Sequence, residues 1–196
     1  MMNSQEEHRH QKMGFYYKDL KQFDQAIDNF KKVLEINPNS PHGHLGLGFC
    51  YFDQGKVNEA LNEFNQALEL DSKNEHAHHG LGACYQIKKQ FADAVDEFKE
   101  AIGINPDNYY AHQGLAYCYE SLKKFDQSID EFNWMLKIHP DNEYYHMGLG
   151  CCYQGLGQFD KAQEEFKQAL NINPDTKCAK ECIASCVEAI KHKEQG

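Results

Sequence analysis

Histidine and cysteine are the residue types in this chain best suited to chemistry, and the sequence contains 11 and 8 of them. Two dense imidazole groups occur, at His42-x-His44 and His76-x-His78-His79. Three thiols recur at i, i+4 and i+8, which share one face of a helix: Cys178, Cys182 and Cys186. Such groups could ligate a metal ion or respond to an oxidant.

The spacing of these groups nevertheless argues against a metal site. On a helix, residues i and i+2 do not share a face. The adjacent pair Cys151-Cys152 points in two directions, and no Cys-x-x-Cys pair exists. We therefore predict no metal and no cofactor. A regulatory thiol cluster at Cys178, Cys182 and Cys186 is a weaker alternative to small apolar packing.

Five histidines and five cysteines follow a period of 34 residues: His10, His44, His78, His112, His146, and Cys50, Cys84, Cys118, Cys152, Cys186. Equivalent positions in stacked helical units lie about 10 Å apart. A disulfide tolerates a Cα separation of about 7 Å at most. We therefore predict reduced thiols and histidines that form hydrogen bonds within their own units.

The same period governs the aromatic residues, with Tyr51 and Phe64 recurring in every unit. It predicts pairs of helices, since apolar residues within a unit follow a helical spacing. First helices are expected near 4–20, 41–54, 75–88, 109–122 and 143–156, second helices near 24–36, 58–70, 92–104, 126–138 and 160–172, and a last helix near 177–191. Ser4 and Glu7 fit a capping box. Prolines end most units, and Asp71-Ser72 with Asn74 replaces the proline in the second.

These repeated residues resemble the tetratricopeptide repeat family, whose unit has about 34 residues. The match in the second unit is Leu47-Gly48, Tyr51, Ala60, Phe64 and Ala67; the fourth departs, with Ala116, Ser128 and Met135. The resemblance implies an all-α solenoid of antiparallel helix pairs, a right-handed superhelix with first helices lining a concave groove. It also implies a role in binding an extended peptide or a partner helix. The expected organisation is a tail 1–4, five repeats 7–40, 41–74, 75–108, 109–142 and 143–176, a capping helix 177–191 and a tail 192–196.

A second apolar stripe on the first helices does not follow from stacking. In the second unit it comprises Leu45, Phe49 and Phe52, which lie on a different face from Leu47 and Tyr51. We predict a partner-binding groove lined by Phe15, His42, Leu45, Phe49, Phe52, His76, His79, Tyr110, Tyr117, Tyr144 and Met147, with few charges: Lys18, Asp19, Asp53 and Glu120. The alternative is that these side chains only pack between adjacent first helices.

Two further features stand out. Gly46, Gly80, Gly114 and Gly148 each sit inside a first helix, where glycine costs about 1 kcal/mol relative to alanine. Tight packing of backbone on backbone is favoured slightly over room for a ligand's main chain. Trp134 occupies an otherwise solvated position, so it could form a second contact surface on the convex side or lie flat over neighbouring aliphatic side chains.

The net charge of −10 disfavours binding to nucleic acid or anionic lipid. No secretory or membrane-spanning apolar stretch is present, so a cytoplasmic protein is expected. No phosphate loop, nucleophile elbow or paired-carboxylate site suggests an enzyme. We predict a non-enzymatic adaptor or scaffold that binds another protein. The alternatives are a permanent subunit of a larger assembly and, less favoured, a co-chaperone carboxylate clamp or a metal or redox sensor.

Overall fold

The computed structural model describes residues 2–194, and side chains from residue 4 to residue 193. All regular elements in this part of the chain are α-helices. They are α1 (Met2–Asp19), α2 (Phe23–Ile36), α3 (Pro41–Asp53), α4 (Val57–Leu70), α5 (Glu75–Ile87), α6 (Phe91–Ile104), α7 (Tyr109–Ser121), α8 (Phe125–Ile138), α9 (Glu143–Gly155), α10 (Phe159–Ile172) and α11 (Lys177–Glu194). The predicted all-α helical repeat is confirmed, and α2 to α10 begin and end within one residue of the predicted positions.

The two outer helices are longer than predicted. The helix α1 begins at Met2, so Ser4 lies inside it and the predicted capping box is wrong. Glu7 instead accepts a hydrogen bond from Asn37 Nδ2 at 3.1 Å. At the other end α11 continues to Glu194. The expected tails 1–4 and 192–196 are thus helical wherever the structure describes them, because neither segment has a glycine or proline there to stop a helix.

A residue with a left-handed backbone lies in the turn within each helix pair. Gly55 and Gly157 take this conformation with φ of 75° and 71°. Lys21, Lys89 and Lys123 take it at the equivalent positions, with φ of 57°, 59° and 58°. Glycine adopts this region without steric cost, whereas a side chain is rare there. The turn is therefore fixed by the packing of the two helices rather than by glycine alone.

The break after α4 forms where Asp71-Ser72 and Asn74 predicted it. The Asn74 side chain caps α5 by accepting a hydrogen bond from the backbone N–H of Ala77 at 3.1 Å. This satisfies one of the free N–H groups at the start of the helix. Asn108 and Asn142 accept equivalent hydrogen bonds from the backbone N–H groups of Ala111 and Tyr144 at 3.0 Å, so the same cap also occurs where a proline ends the preceding repeat.

The chain divides into two compact units, Met1–Ala111 and His112–Gly196. We call them unit 1 and unit 2. In unit 1 the fully buried ring of Phe64 on α4 lies between the backbones of α3 and α5. A Cβ atom added at Gly48 or Gly80 would lie 2.6 or 2.5 Å from that ring. Phe30 has the same relation to Gly14 and Gly46. Glycine is required because a methyl group would overlap the ring.

Unit 2 repeats this core. The ring of Phe132 would lie 2.3 Å from a Cβ at Gly148, and Phe166 would lie 2.4 Å from one at Gly150. The predicted packing role of the first-helix glycines is confirmed for Gly46, Gly80 and Gly148. The prediction that these glycines pack backbone against backbone was wrong, since each of them faces a phenylalanine ring.

The residues of the fourth repeat that depart from the family pattern are buried. Ser128 replaces an alanine, and its hydroxyl donates to the carbonyl oxygen of Ala116 at 2.9 Å. Met135, also in place of an alanine, is fully buried. A buried hydroxyl with a partner avoids the penalty of an unsatisfied polar group, so α7 and α8 pack despite the substitutions.

None of the helices that the structure describes combines the length and apolar character needed to cross a membrane.

Candidate functional site

The recurring histidines form a row of hydrogen bonds between the first and second helices. The Nδ1 atoms of His44, His78, His112 and His146 lie 2.7, 2.7, 2.5 and 2.8 Å from carboxylate oxygens of Glu63, Glu97, Glu131 and Glu165. His10 lies 2.9 Å from Asn29 Oδ1 at the equivalent place. The prediction that each of these histidines forms a hydrogen bond within its own 34-residue repeat is confirmed.

The glutamate partners were missed by the sequence reasoning, although they follow the same 34-residue period. Glu97 is one of these partners. Its side chain is 24% exposed and accepts from the His78 imidazole. A histidine and a glutamate separated by 19 residues in four of the five repeats was the signal that could have revealed the pairs. They join the two helices of a repeat.

The recurring cysteines are buried and unreactive. All eight cysteines are free thiols. Burial raises the pKa of the thiols of Cys50 and Cys84 to about 12, and those of Cys118 and Cys152 to about 11. A thiol that keeps its proton is a poor nucleophile and a poor metal ligand. These four side chains therefore serve as small core residues.

The three thiols of α11 differ in exposure. Cys178 is exposed, Cys182 is partly buried and Cys186 is buried. Among the residues that the structure describes, no group of three or more histidine, cysteine or acidic side chains is arranged to hold a metal ion.

The first helices of unit 1 form a cleft of about 450 Å³. It is lined by Phe15, Lys18 and Asp19 from α1, by His42, Leu45 and Phe49 from α3, and by Asn74 and His76 at the start of α5. Five of the predicted groove residues thus lie together: Phe15, His42, Leu45, Phe49 and His76. Its size falls within the range of small ligand pockets, about 300–1,000 Å³.

Two phenylalanines of the cleft are positioned by the core beneath it. Phe15 meets the buried Phe30 edge to face, with ring centroids 5.0 Å apart. Phe49 meets the buried Phe64 in the same way at 5.1 Å. Such edge-to-face pairs are favourable and hold the rings in one orientation. Both phenylalanines remain half-buried, so part of each ring is available to a ligand.

Among the described residues that line the cleft, Lys18 is the one cation. Its Nζ lies 3.3 Å from the Asp19 carboxylate and 6.0 Å from the centroid of the Phe49 ring. The ion pair neutralises the local charge, and the ring contact keeps the lysine stem against the apolar wall. The cleft is consequently apolar with an imidazole rim, and it lacks a cluster of cations.

The other apolar residues of α3 are placed differently. Leu45 is only 4% exposed and packs in the core with Phe64 and Leu81, so it contributes the floor of the cleft. Phe52 is half-buried against the same core, and it does not line the cleft. Much of the second apolar stripe therefore packs against the core beneath it, in which Phe64 of the second helix α4 takes part.

His79 and Tyr110 lie further along unit 1. The His79 ring is flanked by Phe98 at 5.9 Å and by Tyr110 at 6.0 Å between ring centroids. Burial lowers the pKa of His79, which favours the neutral imidazole. Tyr110 is 68% exposed. The pair forms an aromatic ledge on α5 and α7 that the cleft lining does not include.

The remaining predicted residues belong to unit 2. Tyr117 and Tyr144 are 49% and 74% exposed, and Met147 is half-buried against the core cluster that contains Phe166. Trp134 lies flat on the imidazole of His112, with ring centroids 3.7 Å apart. The indole therefore lies flat on an imidazole, whereas the sequence analysis considered aliphatic neighbours or a second contact surface.

Comparison with known proteins shows that this arrangement of helices belongs to a known family. One family model of the tetratricopeptide repeat matches residues 18–84 and 87–150, and another matches residues 143–176. The chain belongs to the tetratricopeptide repeat family. No curated protein gives a match to the sequence. Tetratricopeptide repeat chains act generally as protein-interaction scaffolds, and that role applies here.

Solved structures of tetratricopeptide repeat proteins resemble this one. A crystal structure of MamA protein is 27% identical with a TM-score of 0.76, and the match covers 87% of this chain and 93% of that one. MamA 41-end from Desulfovibrio magneticus RS-1 is 17% identical with a TM-score of 0.77, covering 88% and 97%. YrrB, described as a repeat protein with an unusual peptide-binding site, is 20% identical with a TM-score of 0.76, covering 86% and 87%. The latter two likenesses establish the fold alone.

Proposed function

We propose that this chain is a non-enzymatic scaffold that binds an apolar peptide or helix of a partner protein in the cleft on α1, α3 and α5. The observation that carries the proposal is the pair Phe15 and Phe49. Each is fixed edge-on by a buried phenylalanine, and both face one cleft of about 450 Å³. Rigid aromatic side chains lose little entropy on binding and dominate interface energetics.

The chemistry of the lining favours an apolar ligand segment. Leu45 forms the floor, and the exposed imidazoles of His42 and His76 form the rim. Because Lys18 is already paired with Asp19, the cleft offers no free cation cluster for a C-terminal carboxylate. This argues for an apolar anchor rather than a carboxylate clamp. YrrB supports the proposal to the extent that a repeat protein of this fold can carry a peptide-binding site.

The chain offers a matched pair of variants for testing the cleft. Phe49 and Phe52 are both half-buried phenylalanines of α3, but only Phe49 lines the cleft. Peptides would be selected from a displayed random library against the full chain, and their Kd would be measured by fluorescence anisotropy. We expect Phe49→Ala to weaken binding by roughly tenfold or more, and Phe52→Ala to leave the Kd nearly unchanged.

A second variant tests the cleft without changing a core residue, so that a loss of binding is not a consequence of unfolding. His42→Glu with His76→Glu places charge on two exposed rim positions, where it should weaken an apolar peptide without disturbing the core. His192→Glu on the exposed end of α11 is the control. Equal effects of Phe49→Ala and Phe52→Ala, or undiminished binding to the rim variant, would remove the cleft assignment.

A further inference from the structure

The positions that line the unit 1 cleft recur in unit 2 with different chemistry. A shift of 102 residues, three repeats, relates the two sets. It replaces Phe15 by Tyr117, Lys18 by Glu120, His42 by Tyr144, Leu45 by Met147, Phe49 by Cys151 and His76 by Cys178. The cation of the first set thus becomes an acid in the second, and one phenylalanine and one histidine become tyrosines.

In the structure, Glu120, Cys178 and Cys182 lie near Cys151. Burial, and next the nearby Glu120 carboxylate, raise the pKa of the Cys151 thiol to about 12. Met147 and Cys151 rest against the core cluster of Phe166 and Ala162. The face formed by α7, α9 and α11 therefore presents Glu120 beside an apolar, sulfur-rich surface.

Glu120 lies half-buried on this face without a cation. Among the residues that the structure describes, its carboxylate is assigned no hydrogen bond or ion pair. Burial is the sole cause that raises the pKa of this carboxyl group. An ionised carboxylate in such a place is costly unless it is paired. A positive charge brought by a ligand would supply the missing partner.

Two exposed aromatic rings belong to the same face. Tyr117 precedes Glu120 by three residues on α7, so the two side chains are neighbours on one side of the helix. Tyr144 is 74% exposed and shares a face of α9 with Met147 and Cys151. Aromatic rings attract cations, and arginine in particular stacks on them while it bonds a carboxylate through two N–H groups.

We propose that the α7–α9–α11 face of unit 2 binds a basic side chain, arginine above all, of a partner protein, with its charge on Glu120 and its stem against Tyr117 and Tyr144. This inference rests on the scaffold role proposed above but uses a different surface. The net charge of −10 adds a long-range attraction for basic partners. Unit 1 would recognise an apolar segment, and unit 2 a basic one.

An array of nonapeptides with a central arginine tests the proposal, each peptide paired with a twin that carries citrulline, a neutral residue of the same shape. The labelled full chain would be applied to the array, and Kd values of bound peptides would be measured in solution. We expect the citrulline twins to bind roughly ten to a hundred times more weakly. Glu120→Gln should abolish this preference for arginine.

Control variants keep the two proposed sites apart. Glu181→Gln removes the same charge from an exposed position of α11 and should preserve the preference for arginine. The rim variant of unit 1, His42→Glu with His76→Glu, should preserve it as well, even if it loses apolar peptides. The proposal is overturned by equal binding of arginine and citrulline twins, by a preference that survives Glu120→Gln or is lost with Glu181→Gln, or by an array on which no arginine peptide binds.

Discussion

Trp134 lies flat against His112, with the indole and imidazole planes inclined by 18° and the ring centroids 3.7 Å apart. The same imidazole contacts the Glu131 carboxylate at 2.5 Å. The side chain of His112 is 9% exposed, whereas those of its equivalents His44 and His78 are 16% and 13% exposed. The single tryptophan of the chain thus covers the His112–Glu131 pair, whereas the equivalent histidines of other repeats are more exposed to solvent.

Replacing Trp134 by glutamine, the residue at the equivalent positions 66 and 168, should destabilise the fold. We expect a loss of about 1 kcal/mol, since stacked rings contribute about 0.5–1.5 kcal/mol beyond the area that they bury. Urea unfolding followed by circular dichroism measures the change without the tryptophan signal. Gln168→Ala serves as the control and should stay within about 0.5 kcal/mol. An unchanged midpoint for Trp134→Gln would show that the stack adds no net stability.

Adding a methyl group at Gly80 should destabilise unit 1, because the new Cβ would lie 2.5 Å from the Phe64 ring. Overpacking of a core costs about 1–3 kcal/mol. Gly103 in α6 provides the matched case, since a Cβ there meets nothing within 4 Å. Gly103→Ala should therefore stabilise the chain by about 0.5–1 kcal/mol. Thermal and urea unfolding would reveal shifts of opposite sign, and shifts of the same sign would contradict the account of the glycines.

Removing Glu97 should weaken the link between α5 and α6. Glu97→Ala leaves the part-buried Nδ1 of His78 without its acceptor at 2.7 Å. The loss of a hydrogen bond to a charged group costs about 1.5–3 kcal/mol, and solvent access to this pair places the expected value at the lower end. Glu100→Ala on the exposed side of the same helix is the control. Equal stability of the two variants would mean that the pair contributes nothing.

Alkaline pH should destabilise the chain through its buried thiols. Burial raises the pKa of Cys84 from 9.0 to about 12, so the folded state keeps a proton that the unfolded state loses above pH 9. The contribution of this group is complete below pH 9 and declines as the pH rises toward 12, by up to about 1.4 kcal/mol per pH unit.

The variant Cys84→Ala isolates this effect. The contributions of the remaining thiols and of the tyrosines other than the adjacent Tyr85 cancel in the difference between the two proteins. Urea midpoints at pH 8 and pH 10.5 should show a smaller alkaline loss for the variant than for the unchanged chain. A parallel loss in both would contradict the assignment of a protonated Cys84 in the folded state.

The sequence by itself determined the helix pairs, the boundaries of α2 to α10 and the reduced thiols. The reason is local and repetitive: helical spacing, turn residues and the 34-residue period act within a unit and recur in every unit. Phe64 and Cys84 could be placed in the core from this pattern alone, because stacking imposes the same packing each time. The prediction that the recurring histidines form hydrogen bonds within their own repeats followed from the same pattern.

Only the tertiary structure decided which side chains meet across helices. It placed Glu97 on His78, Phe64 against Gly80, and Trp134 on His112, contacts between residues that are distant in sequence. It also separated Phe49, which lines a cleft, from Phe52, which does not, although both belong to one apolar stripe. A periodic pattern gives the face of a helix, whereas the partner of each side chain depends on how neighbouring helices pack.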